Sequence, residues 1–202
     1  MLWGMGRREN TKAANRAAIL AAGRELFSAH GYDAVSVRDI VRRTELASGT
    51  FYNYFPDKTS IFRALVEETA AEGRRRVREA RRSGVGAEDF VERGFRAYFE
   101  FIASDPGTFA FLRRNAGTIR EQFGDAFLPA GLADLEEDLR AAIASGDLPA
   151  LDVGYCARAM LAVALEVGEE LLERDPPDVE GATRFVSALF AGGLDRLTLA
   201  LR

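Results

Sequence analysis

Residues Ile19, Leu20, Gly23, Leu26 and Phe27 recur at the i, i+1, i+4, i+7, i+8 spacing of one helix face, and predict a first helix from about Lys12 to His30. Gly31 stops it. Ser36-Val-Arg-Asp39 then reads as a capping-box start, followed by Val37, Ile40 and Val41 on the inner side of a short helix. After a polar break at Thr44-Glu45 comes a brief aromatic helix, Ser48 to Tyr54, which Pro56 ends. Asp57 caps a long fourth helix with the stripe Ile61, Phe62, Leu65, Val66 and Thr69. Phe90, Val91, Phe95, Tyr98, Phe99 and Ile102 mark a fifth, and Asp105-Pro106 opens a sixth. Leu132, Leu135, Leu139 and Ile143 mark a seventh; Phe123 and Phe127 precede it, with a kink or break expected at Pro129 and Gly131. An eighth runs from about 151 to 174 and a ninth from about 179 to 201. No stretch alternates with period two for long enough to make a strand, so the expected fold is all-α, with about nine helices.

Composition narrows the chemistry. With 202 residues of which 48% are apolar, the chain can bury a substantial core. Its net charge of −4 conceals an asymmetry: residues 1–84 hold 16 basic against 10 acidic side chains, a net +6, and the remainder carries −10. A lone cysteine, Cys156, excludes an intrachain disulfide and a cysteine-based zinc cluster, and reads as a packed small hydrophobe. A lone histidine, His30, reads as a helix-end cation or cap. No nucleophile-elbow, phosphate-loop or metal-ligand spacing is present, so neither an enzyme nor a cofactor or metal is expected. The longest apolar run, Ala159 to Leu165, is too short to span a bilayer and no apolar leader precedes the first helix; the expectation is a soluble, cytoplasmic protein.

Two short helices joined by a turn of about four residues and buttressed on both sides have the layout of a helix-turn-helix. The residues are more specific than the layout. Phe27-Ser-Ala-His-Gly31-Tyr32-Asp-Ala-Val-Ser36-Val-Arg38-Asp-Ile40 and Ser48-Gly49-Thr50-Phe51-Tyr52-Asn53-Tyr54-Phe55-Pro-Asp-Lys58 closely resemble the TetR family of bacterial transcriptional regulators, over about residues 12–65. The resemblance implies DNA contact at Ser36, Arg38, Ser48, Gly49, Thr50, Tyr52, Asn53 and Lys58. The chemistry agrees: Gly49 permits close approach, Ser48 and Thr50 put hydroxyls at a helix N-terminus, and Tyr52 and Lys58 suit phosphate oxygens. Asn53 suits a base edge or a phosphate, and Phe51, Tyr54 and Phe55 suit packing. Two positions depart from the family pattern: Glu45 stands where glycine is usual and Ala47 where serine is usual, which passes the capping duty to Ser48 or Thr44.

The resemblance also implies domains: a flexible basic arm over 1–11 with Arg7 and Arg8, a helix-turn-helix domain over 12–57, and an effector-binding and dimerisation domain over 58–202, entered through a connecting helix at 58–83. Function follows as a ligand-responsive repressor that binds a near-palindromic double-stranded operator as a homodimer and is released by a small, largely apolar effector. The last two helices, about 151–201, are the expected dimer surface, with Ala159, Ala162, Ala188, Ala191, Gly192 and Gly193 permitting close packing. Tyr98, Phe99, Phe109, Phe123, Phe127 and Glu166 are the candidate effector-lining residues, against an ordinary core role for the aromatics and a surface or interface role for Glu166. The run Arg74, Arg75, Arg76, Arg78, Arg81, Arg82 reads as a solvated or inter-domain face, not a DNA patch. The alternative is a helical small-molecule carrier or enzyme that does not bind DNA.

Overall fold

The structure, a computed structural model, describes residues 3–123 and 127–200, and the side chains of all of these except 3–8, 106, 120, 123, 127–129 and 194–200. They form ten helices: α1 (Trp3–His30), α2 (Val37–Arg43), α3 (Ser48–Tyr52), α4 (Lys58–Arg82), α5 (Gly86–Ser104), α6 (Pro106–Arg114), α7 (Ala116–Phe123), α8 (Phe127–Ser145), α9 (Val153–Leu172) and α10 (Val179–Ala200). The fold is all-α. No described helix is long and apolar enough to cross a membrane. Two differences from the sequence pattern stand out. Helix α1 begins at Trp3, so residues 3–11 are helical where a loose arm was expected. The sixth predicted helix is split at Asn115 into α6 and α7, and Pro129 neither kinks nor breaks its helix because it lies in the first turn of α8, where its missing N–H costs nothing.

The chain divides into two compact units. The first comprises residues up to Ala70 together with Gly107–Gln122, and the second Ala71–Pro106 with the residues from Phe123 onward. The segment 107–122 thus packs with the helix-turn-helix, although its place in the sequence assigned it to the effector domain.

The first unit closes around aromatic rings. Phe27, Phe62 and Phe111 are each fully buried, with Phe62 meeting Phe27 and Phe111 edge-on at centroid distances of 5.4 Å. The Tyr32 ring tilts against Phe62 at 4.8 Å. Helices α1 and α4 come together at Gly23, where a Cβ would lie 2.9 Å from Ile61 Cγ2, closer than side chains pack. Gly31 ends α1 with φ +81, the left-handed conformation that glycine adopts without strain, and its N–H returns to Phe27 O at 3.0 Å. His30 is the exposed last residue of α1, at the negative end of the helix dipole.

Helix α2 has only seven residues, too few to persist by propensity, so its start is fixed by side chains. Ser36 Oγ accepts the Asp39 N–H at 3.3 Å while Asp39 Oδ2 accepts the Ser36 N–H at 3.0 Å, the expected capping box. The Ser36 hydrogen bonds, with a smaller contribution from Arg42, hold the Asp39 carboxyl down from 3.8 to about 2. A carboxylate so lowered supports the fold fully above about pH 4, and that support fades as pH falls from 4 towards 2. Ser36→Ala is expected to destabilise by about 1 kcal/mol. Its acid unfolding midpoint should shift less than the wild type's between pH 4 and 2, as followed by circular dichroism.

In the second unit, α5 buries Phe90, Val91, Phe95, Phe99 and Ile102 and packs on α9 and α10, where Phe190 stacks on Phe95 at 5.4 Å. Helix α8 packs on α9 and contributes Leu135 and Leu139 to the core. Beside them lies a charged seam between the end of α4 and α8. Asp138, whose side chain is only 1% exposed, accepts from Arg81 Nη2 at 2.7 Å and Nε at 3.0 Å, and from Arg82 Nε at 3.1 Å. Arg78 reaches Glu137 at 2.8 Å and Asp134 at 3.2 Å. Burial pushes the Arg81 guanidinium below its usual range, and the Asp138 carboxylate opposes that shift. The basic run therefore divides: Arg75 and Arg76 pair with Glu72 and Glu79 on an exposed face, whereas Arg78, Arg81 and Arg82 join α4 to α8 inside the second unit.

Candidate nucleic-acid interface

Phe51 is fully buried and Phe55 nearly so, which fixes one side of α3 against the unit's core. The opposite side is free: Ser48, Gly49, Tyr52 and Asn53 are exposed, Tyr52 at 58% despite its ring, and Thr50 is half-buried. A Cβ at Gly49 would meet nothing within 4 Å, so no protein contact demands glycine there. Asn15 Nδ2 donates to the Tyr54 hydroxyl at 3.1 Å and ties the far end of the aromatic segment to α1. Tyr54 and Phe55 thus support the helix from outside α3, which ends at Tyr52 with Asn53 as its C-cap.

The two departures from the family pattern are absorbed by extended backbone. Thr44 (φ −99, ψ 159) and Ala47 (φ −65, ψ 145) carry the turn between α2 and α3, and among the described residues no non-glycine residue has positive φ. Glu45 is exposed and needs no left-handed conformation. The expected transfer of the cap is corrected: Ala47 is the N-cap of α3 with no side-chain hydrogen bond, and Ser48 is the first helical residue. Thr44 serves the turn instead, its hydroxyl donating to Val41 O at 2.9 Å and accepting from Leu46 N at 3.3 Å. The first turn of α3 therefore has no side-chain cap, and the Thr50 and Phe51 amides return to Ala47 O at 2.9 and 3.2 Å.

Around this helix the cations differ in freedom. Arg38 is exposed on α2. Arg42 pairs with Asp39 at 2.5 Å, and Arg43 with Glu25 at 2.5 Å, which spends both on the protein. Lys58, expected as a phosphate contact, donates to Tyr32 O at 2.9 Å and Val35 O at 3.0 Å, with its ammonium 4.1 Å from the Tyr32 ring centroid. An ammonium has three N–H donors, so two hold the loop before α2 and one is left for an external oxygen.

Of the candidate effector residues, Tyr98, Phe99 and Glu166 lie in the second unit. Phe99 is fully buried and Tyr98 half-buried in the second unit; burial pushes the Tyr98 hydroxyl up to about 12. Phe109 belongs to the first unit. The side chains of Phe123 and Phe127 lie outside the described residues. Glu166 is exposed on α9. An open groove of about 440 Å³ between α4 and α5 is lined by charged groups, Arg76, Glu79 and Glu100, with Ser83 and Phe101.

Residues 19–65, which span the end of α1, α2, α3 and the first turns of α4, match the family model for bacterial regulatory proteins of the tetR family. This segment carries a helix-turn-helix of the tetR type. The fold agrees with solved structures over most of the chain. It is similar to the fatty acid degradation regulator FadR from Bacillus halodurans, at 22% identity, 89% of this chain, 95% of that one and a TM-score of 0.74. FadR from Bacillus subtilis in complex with stearoyl-CoA matches at 23% identity over 86% of this chain and 96% of its own, with a TM-score of 0.71. A TetR-family regulator from Pectobacterium atrosepticum matches at 22% identity, 90% and 94%, with a TM-score of 0.65. Within the matched segment α3 is the second helix of the helix-turn-helix. Sequence reasoning missed Asn115, which lies outside the motif and accepts the N–H of Tyr32 within it; the two are 83 residues apart, and no local pattern links them.

Proposed function

We propose that this protein is a ligand-responsive TetR-family repressor that binds a near-palindromic operator as a homodimer and is released by a largely apolar effector. The observation that carries the reading is the two-sided α3: Phe51 locks one side to the core while Ser48, Gly49, Tyr52 and Asn53 leave the other open to a duplex. In this reading Ser36 and Arg38 contact the backbone from α2, Thr50 and Tyr52 donate to phosphates, Asn53 reads a base edge or a phosphate, and Lys58 gives its remaining N–H to a phosphate.

Dimerisation is supported by α9 and α10. Tyr155, Leu165, Phe185 and Leu189 are large apolar side chains left 79%, 39%, 63% and 53% exposed, with Ala159, Ala162, Ala188 and Gly192 exposed among them. A second copy covering these helices removes that apolar area from water. An apolar effector is supported by the aromatic interior of the second unit, where Phe95, Phe99 and Tyr98 meet, and by the fatty acid regulators among the fold's relatives. A long-chain acyl thioester is the class we favour, after the stearoyl-CoA held by the Bacillus subtilis protein.

The test is selection of duplexes from a random-sequence pool, followed by mobility-shift titration. Selected sites should be near-palindromic, with half-sites about one helical turn apart, and affinity should fall steeply with salt as counterions are released. Thr50→Ala and Lys58→Ala should each weaken binding about tenfold, since every lost contact counts twice in a dimer, and Lys58→Ala should also flatten the salt slope. Stearoyl-CoA should displace the duplex. A protein that selects no duplex and shows no salt-dependent binding is instead the carrier.

A further inference from the structure

Asn115 stands alone at the junction of α6 and α7, between Arg114 and Ala116, and is only 2% exposed. A buried primary amide must place two donors and an acceptor, and here each has a partner. Nδ2 donates to Phe27 O at 3.2 Å and Phe111 O at 2.7 Å; Oδ1 accepts the Tyr32 N–H at 2.7 Å. One side chain therefore holds three pieces of backbone: the last turn of α1, the connection to α2, and the end of α6. The main chain stays hydrogen-bonded across the junction, with Asn115 N–H donating to Phe111 O at 3.2 Å and Ile119 N–H to Asn115 O at 2.8 Å.

Tyr32 passes the constraint on. Its N–H belongs to Asn115, its carbonyl to Lys58, and its hydroxyl to Thr59 Oγ1 at 2.7 Å. Its ring lies under the Lys58 ammonium. The same ammonium takes Val35 O, the residue before the α2 N-cap. A shift of Tyr32 thus moves both the entry to the helix-turn-helix and the one N–H of Lys58 still available to DNA.

We infer that Asn115 is a positioning residue for DNA recognition: through Tyr32 it sets the placement of Lys58 and of the α2 entry, so that the state of the α6–α7 junction is read out as DNA affinity. This rests on the DNA-binding reading above, and its failure is distinguishable from that reading's. If the wild type selects no duplex, the reading fails; if the wild type binds and Asn115 is indifferent, only this inference fails.

The experiment compares Asn115→Ala, Lys58→Met and the double variant on the duplex selected by the wild type, with Leu139→Ala in the second unit as a control for general destabilisation. Asn115→Ala should weaken binding at least tenfold at a temperature where circular dichroism shows it folded. Leu139→Ala, equally folded, should bind like wild type. Adding Asn115→Ala to Lys58→Met should cost less than threefold more, because both act on one contact. Independent losses that multiply in the double variant, or unchanged affinity in folded Asn115→Ala, overturn the inference. Should Asn115→Ala not fold, hydrogen exchange in the wild type decides. DNA binding should slow exchange of the Tyr32 amide severalfold, by the reciprocity of linked equilibria, and unchanged exchange there refutes the relay.

Discussion

Replacing Asp138 with alanine should destabilise the protein by about 3–5 kcal/mol, because the variant leaves the Arg81 guanidinium buried without its carboxylate. Arg81 has little access to water and its charge is already disfavoured by burial; Asp138 supplies its two short hydrogen bonds. Arg82 shares the same carboxylate from a more exposed position and can turn to solvent. In a chain of this size the loss corresponds to roughly 10 °C in Tm. Urea unfolding and calorimetry measure it. The companion Asp138→Leu with Arg81→Met removes both charges together and should recover most of the deficit, since desolvation then falls on neither. A small effect of Asp138→Ala alone would mean that water reaches Arg81 freely.

The double variant Phe185→Asp with Leu189→Asp should convert the proposed dimer to a monomer and weaken operator binding by about 10²–10³-fold. The two side chains lie one turn apart on α10 and are its large exposed apolar groups among the described residues. Placing carboxylates on that face sets four like charges against each other across a two-fold axis. A monomer engages one half-site and forfeits the effective concentration that makes the second contact nearly free. Sedimentation gives the mass, and mobility shift on full and half sites gives the affinity. Wild-type mass and affinity in this variant would place the interface elsewhere.

Much of the fold is legible in the sequence because the short-range signals are strong. The Ser36/Asp39 capping box, the glycine stop at Gly31 and the proline opening α6 at Pro106 are each set by neighbours within a turn, and each appears where its residues predict it. The core positions Ile19, Phe27, Ile61, Phe62, Phe95 and Phe99 follow from periodicity and are buried. What the sequence hides is set by distant partners. Nothing near Asn115 marks it as buried or as a helix break, since its three hydrogen bonds go to Phe27, Tyr32 and Phe111. The arginine run looked like a solvated face because its carboxylates, Asp134 and Asp138, lie more than fifty residues away. Lys58 was legible as a cation near the recognition helix, but its hold on Tyr32 and Val35 was not, because two backbone carbonyls leave no mark on composition.

The membership of residues 107–122 in the first unit bears on how this protein can be taken apart. A truncation ending near residue 70 would strip Phe111 from the faces of Phe27 and Phe62 and leave the Tyr32 amide without an acceptor. Chimeras that graft this reading head onto another sensor must therefore transplant two separate stretches of chain, or supply a substitute for the missing wedge.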